Sequence, residues 1–157
     1  MASYSEYRKT MVRKFWTYQH ETFPVWEDYF ERSFHSDGRP PVFLKKAADC
    51  NVLIDPDGAA PERDLLLDEI PPKERHRWFR SMSSSQAVAK SILGNLKVHD
   101  RLQYLAELTD DAGLSLMGGA TLSRDNFHME YDVDYLNEPR PTSVDAFVAG
   151  EYRVAIE

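Results

Sequence analysis

An α+β fold is what this sequence predicts: a helical N-terminal region, then a helix packed on an antiparallel meander of three strands. Three observations carry the expectation. Apolar residues recur every three or four positions as far as about Leu108, side chains alternate with a period of two from Phe127 onward, and Asp, Gly and Pro clusters separate the segments.

Taken in chain order, Tyr7, Met11, Phe15 and Tyr18 are spaced by four, four and three, and Val25, Trp26, Tyr29 and Phe30 follow. The spacing predicts a helix from Ser5, interrupted at Pro24, which starts a second helix capped near Thr22 or Phe23. Aromatics at helical spacing are expected to form core rather than a base-stacking platform, because a helix face must be buried somewhere. Asp37-Gly38-Arg39-Pro40-Pro41 closes this unit with turn residues. From Val42 to Pro72 the pattern is weak: Asp55-Pro56-Asp57-Gly58 reads as a turn, Pro71-Pro72 as a break, and Leu65-Leu66-Leu67 as either a short helix or a strand. The break divides the chain into a helical region, 1–72, and a second region, 73–157.

Arg75, Arg77, Trp78 and Arg80 precede Ser83-Ser84-Ser85, whose hydroxyls can cap the next helix. The basic cluster reads as solvated charge beside a buried Trp78. Val88, Ala89, Ile92, Leu93 and Leu96 form the stripe of a helix lying on a core. Asp100 is placed to cap a further helix carrying Leu102, Leu105 and Leu108, ended by Gly113. Phe127 to Leu136 then alternates, with Met129, Tyr131, Val133 and Tyr135 on one side and His128, Glu130, Asp132 and Asp134 on the other. Pro139 and Pro141 mark a loop, and Ser143–Val148 and Tyr152–Glu157 are two more strands joined as a hairpin across Ala149-Gly150-Glu151.

Composition bounds the function. The chain has 157 residues and a net charge of −7, and its last 57 residues hold four basic and eleven acidic groups, which accounts for the whole imbalance. Duplex binding draws on Lys and Arg at phosphates, so an acidic total weighs against nucleic acid unless the carboxylates gather at a metal. The lone Cys50 has no disulfide partner and no second cysteine for a zinc set. No apolar run reaches the ~20 residues of a membrane span, and Met1 to Thr10 lacks the apolar stretch of a signal peptide. The expectation is a cytoplasmic chain without a membrane partner.

Metal-assisted phosphodiester hydrolysis needs hard oxygen ligands converging from neighbouring strands. Asp145 in Ser-Val-Asp-Ala-Phe and Glu157 in Arg-Val-Ala-Ile-Glu lie on consecutive strands. A three-residue loop at 149–151 pairs Val148 with Tyr152 and sets Glu157 diagonally beside Asp145 on one face; a two-residue loop puts them on opposite faces. The apolar set Val144, Ala146, Val148, Val154 and Ile156 agrees with the first register. His128-Met129-Glu130 has the His-x-Glu of zinc deaminases, but no Cys-x-x-Cys follows.

An Asp opening one strand and a Glu ending an apolar strand across a tight turn resembles the PD-(D/E)xK nuclease superfamily. Trp78 to Ala87, Tyr135 to Glu138, Pro139-Arg140-Pro141-Thr142-Ser143-Val144-Asp145 and Ala155-Ile156-Glu157 are similar, more narrowly, to a group of uncharacterised bacterial proteins of the restriction endonuclease type. The resemblance extends from about Arg75 to Glu157. It implies a partial restriction-endonuclease-like core over 73–157, with Asp145 and Glu157 as catalytic, Mg²⁺-binding carboxylates and Glu130 as a supporting metal ligand; Gln86 or a neighbour on the preceding helix is the alternative. It implies DNA as partner, and a homodimer as one assembly. In the family a Lys follows two residues after the Glu, where it orients the attacking water and offsets charge on the phosphoryl oxygens. The sequence stops at Glu157, so the expectation is an inactive N-terminal fragment of a metal-dependent DNA endonuclease. The alternative is a non-catalytic module that binds nucleic acid or protein on a nuclease-derived fold.

Overall fold

The computed structural model describes residues 4–34, 38–53, 60–133, 139, 142–150 and 154–156. Among them are five α-helices: Tyr4–Thr22 (α1), Ala60–Asp68 (α2), Ser85–Ala89 (α3), Asn95–Val98 (α4) and Gln103–Ala106 (α5), with a π turn, Lys90–Gly94, joining α3 to α4. Three strands, Phe127–Val133 (β1), Thr142–Val148 (β2) and Val154–Ile156 (β3), form one antiparallel sheet in the order β1-β2-β3. The fold is α+β with a helical N-terminal region. No described helix is long and apolar enough to cross a membrane.

The residues group into two compact units interleaved in sequence: Met1–Leu53 with Arg75–Val88, and Ile54–Glu74 with Ala89–Glu157. The grouping follows contacts rather than the proline break at 71–72.

In the first unit, α1 forms where the aromatic spacing predicts, but it buries a different face. Val12 and Gln19 are buried while Tyr7 and Tyr18 are exposed. No second α-helix starts at Pro24. Val25 leaves the helical region at φ −109°, ψ 68°, and a single 3-10 turn, Trp26–Asp28, follows. That bend lets Phe23, Phe30 and Phe43 meet, with the Phe30 and Phe43 rings 4.2 Å apart. The basic cluster is tied down: Arg75 pairs with Asp49 at 2.6 Å and lies over the Phe79 ring, and Arg80 pairs with Glu31 at 2.9 Å. Trp78, expected to be buried, is 49% exposed, and its neighbour Phe79 takes the core position at 1%. Ser84 is the serine that caps, its Oγ accepting from the Ala87 N–H at 3.1 Å.

In the second unit, Leu93, Leu102, Met117, Phe127, Met129, Ala146 and Val148 form the core, with Ala89, Leu96, Val154 and Ile156 packed against them. Burying Phe127 or Val148 stabilises by roughly 1.5–3 kcal/mol each. The helical stripe is only half right, because Val88 and Ile92 are exposed. The π turn inserts a residue into the helical repeat and turns Lys90, Ser91 and Gly94 inward instead. At Gly94 a Cβ would collide with the side chain of Leu66, which comes from the middle of α2. Asp100 caps nothing: its backbone is left-handed at φ 55° and its carboxylate pairs with Arg124 at 2.6 Å. Gly113, at φ 77°, sits in a turn well beyond the end of α5 rather than at it.

The hairpin register differs from expectation. Val148 pairs with Val154 and Ala146 with Ile156, so the connection spans 149–153 rather than three residues. A shift of two preserves side-chain parity, and Val148, Ala146, Val154 and Ile156 all remain on the core.

Candidate functional site

Glu130 is where β1 stops behaving as a regular strand. Phe127 and Met129 pack in the main core, yet Tyr131 lies in a second cluster with Val133, Val144 and Phe147, its ring stacked on Phe147 at 4.3 Å and 11°. The period-two pattern therefore breaks between Met129 and Tyr131. The residue between them has φ 51°, a left-handed conformation in a non-glycine residue that costs roughly 1–2 kcal/mol. No residue is inserted: Met129 pairs with Ala146 and Tyr131 with Val144, and the pairing skips Glu130 between them. Counting along both strands puts Glu130 at the level of Asp145.

The left-handed turn carries the Glu130 carboxylate to Lys90, with Nζ and Oε1 3.3 Å apart. Lys90 stands in the π turn and its side chain is 0% exposed; that of Glu130 is 12% exposed. Neither Lys90 Nζ nor Glu130 Oε1 makes a hydrogen bond of good geometry, so the contact is an ion pair with unsatisfied donors and acceptors on both sides. Burial pushes the Lys90 ammonium below its ordinary value of 10.5, while the carboxylates of Glu130, Glu74 and Asp145 pull the other way. Strained backbone, a π turn and a buried cation thus coincide within one small region.

No family model, curated protein or solved structure matches this chain.

The expected site residues fall out as follows. Glu130 and Asp145 fall at the same level of β1 and β2, at the one step that the ladder pairing skips, and Asp145 is half-buried. Glu157 lies outside the described residues, one position after Ile156, which pairs with the neighbour of Asp145. Gln86 is buried in the first unit, where its Oε1 accepts from the His76 N–H at 3.0 Å. Among the described residues no three acidic, histidine or cysteine groups converge as a metal cluster.

Lys90 is the residue that sequence reasoning missed. Its only signal is the company it keeps, since Ala87, Ala89, Ser91 and Gly94 are all small and leave room beside one long side chain. A lysine in an amphipathic helix ordinarily faces solvent, and nothing in the spacing announces a π turn.

Proposed function

We propose that the β1–β2 pair carries the carboxylates of a metal-dependent phosphodiester-cleaving centre that acts on DNA, with Asp145 and Glu130 as ligands and Glu157 as a third. The observation that carries this reading is the backbone at Glu130, left-handed at φ 51° where its carboxylate meets a buried cation, one strand away from Asp145. Strain of this kind persists where the surrounding structure enforces it, and it clusters at functional sites.

Mg²⁺ suits the donors. It takes hard oxygen ligands, commonly one or two carboxylates together with water and substrate phosphate, and Glu130 Oε1 is a buried carboxylate oxygen without a hydrogen-bond donor. When bound there, the ion would polarise a phosphoryl oxygen and acidify a water. The chain's own residues would do the rest. Asp145 and Glu130 hold negative charge on adjacent strands, and Lys90 supplies fixed positive charge beside them without needing to reorganise.

One observation favours a second reading, a non-catalytic module that binds nucleic acid or protein on the same scaffold. The Lys90 ammonium already stands beside Glu130 and offsets its charge, which lowers the demand for a metal ion.

Cleavage of supercoiled DNA in Mg²⁺ separates the two. In a chain carried on through the lysine that the family pattern places two residues after Glu157, the nuclease reading expects nicking that is lost in Asp145→Ala, because a ligand disappears from a half-buried position without opening a core cavity. Undiminished nicking in that variant removes Asp145 from the centre. An extended protein that binds DNA in Mg²⁺ but never nicks it supports the second reading.

A further inference from the structure

Within the first unit a cavity of about 390 Å³ opens beside the serine run, bounded by Arg39 and Pro40, the Arg8 side of α1 and the segment from His76 to Ser85. Its chemistry is one-sided. Arg8 and Arg39 reach it, and among the described residues no aspartate or glutamate lines it. Arg75 and Arg80 are committed to Asp49 and Glu31, whereas Arg8 and Arg39 are exposed and have no ion-pair partner among the described residues. The Arg39 loop is anchored to α1 through its carbonyl, which accepts from Trp16 Nε1 at 2.9 Å.

A buried hydroxyl on the wall is arranged to donate. His76 Nδ1 accepts from the Trp78 N–H at 2.9 Å, so in the neutral ring the proton sits on Nε2 and donates to Ser84 Oγ, 3.2 Å away. Ser84 Oγ also accepts from the Ala87 N–H at 3.1 Å. Both lone pairs of an oxygen only 4% exposed are then used, and its own O–H has no acceptor among the described residues. That leaves a donor without a partner among the described residues on the wall of a cavity that Arg8 and Arg39 also line. Arginine forks and hydroxyl donors together match phosphate oxygens. Trp78, 49% exposed, with Pro40 and Val42, gives the cavity an apolar wall on which a flat ring can lie. The volume exceeds what a bare phosphate fills.

We infer that this cavity binds a phosphate monoester on a planar base, a nucleoside monophosphate in shape and charge, with the phosphate held by Arg8, Arg39 and the Ser84 hydroxyl and the base against Trp78. The same chemistry has two sources, a free mononucleotide or the 5′-phosphorylated end of a nucleic-acid strand. The inference is independent of the metal centre proposed above, whose residues belong to the second unit.

Titration calorimetry on the whole chain in EDTA tests it, with AMP, inorganic phosphate, adenosine and a short single-stranded DNA oligomer with and without a 5′-phosphate. AMP should bind at least about tenfold more tightly than inorganic phosphate, and adenosine should give no heat. Ser84→Ala and Arg39→Ala should each weaken AMP by about tenfold. Arg39 is exposed, so its variant keeps the test decisive even where Ser84→Ala disturbs the helix cap. Tighter binding of the phosphorylated oligomer than of AMP identifies a strand end as the source, and the reverse order identifies a free nucleotide. Equal affinity for the phosphorylated and unphosphorylated oligomers, unchanged AMP binding in Arg39→Ala, or no AMP binding at millimolar concentration overturns the inference.

Discussion

Replacing Lys90 with methionine keeps most of the side-chain volume and removes the charge, leaving Glu130 as a carboxylate 12% exposed with no cation beside it. At the observed separation of 3.3 Å, two unit charges attract by about 5 kcal/mol at an effective dielectric constant near ~20. Desolvating the two ions costs several kcal/mol apiece. The intact pair therefore contributes little net stability, yet either charge alone is expensive. Lys90→Met and Glu130→Gln should each destabilise by roughly 3–5 kcal/mol, and the double variant should lose far less than their sum. A coupling of about 2–5 kcal/mol is expected. Urea unfolding gives the four corners of the cycle, with a constant m-value as the check that the denatured state has not changed. Because a domain of this size has only ~5–15 kcal/mol to lose, the series is best run in sucrose, which stabilises compact states. A coupling below about 0.5 kcal/mol, the range of independent sites, would falsify the pairing and with it the electrostatic account of the left-handed residue.

The same lysine predicts a pH dependence. Its folded pKa lies below the 10.5 of the unfolded chain, so between those two values the unfolded state binds more protons and stability must rise with pH, by at most ~1.4 kcal/mol per unit. Denaturation midpoints across alkaline pH should show this rise in the wild type and a flatter profile in Lys90→Met; identical profiles would mean that Lys90 titrates normally. Gly94→Ala pushes a methyl group into Leu66, which is 1% exposed and has nowhere to retreat; a loss of about 1–3 kcal/mol is expected, and a thermal midpoint equal to wild type would show that α2 can move aside. Glu130→Asn keeps a residue tolerant of positive φ while deleting the charge, so it should retain the break in β1, seen as an unchanged Tyr131–Phe147 ring contact by NMR, while abolishing metal-dependent nicking by the chain extended through the family lysine. Loss of that ring contact would show that the ion pair, not the backbone preference, sets the kink.

The sheet could be read from the chain because its signal is local and redundant: alternation marks each strand, and a register error of two residues leaves Val148, Ala146, Val154 and Ile156 on the same face. The helical region was legible in position but not in orientation. Tyr7 and Tyr18 lie at proper helical spacing and still face solvent, since spacing identifies a face without saying whether anything covers it. Trp78 and Phe79 exchanged roles for a similar reason, because adjacent aromatics are equivalent to any pattern, and each has an arginine over its ring, Arg77 on Trp78 and Arg75 on Phe79. At the candidate site the strand pattern pairs Asp145 with Glu157, and Glu130 enters only as what the family resemblance implies. Lys90 could not be anticipated, because a π turn is a phase error in the helix that apolar spacing does not announce, and the small residues around it are a weak sign of a buried lysine.

At position 130 the backbone and the side chain ask for different amino acids. A φ of 51° is best met by glycine or asparagine, while the ammonium of Lys90 asks for a carboxylate. Aspartate satisfies both in kind but reaches one methylene less far, and glutamate satisfies the second at the expense of the first. Selection for stability alone would thus drift this codon toward glycine or asparagine once Lys90 became apolar, whereas selection on what the carboxylate does would hold it acidic. A saturation library at this single position, sorted separately for folded yield and for nicking, converts that conflict into two different residue preferences.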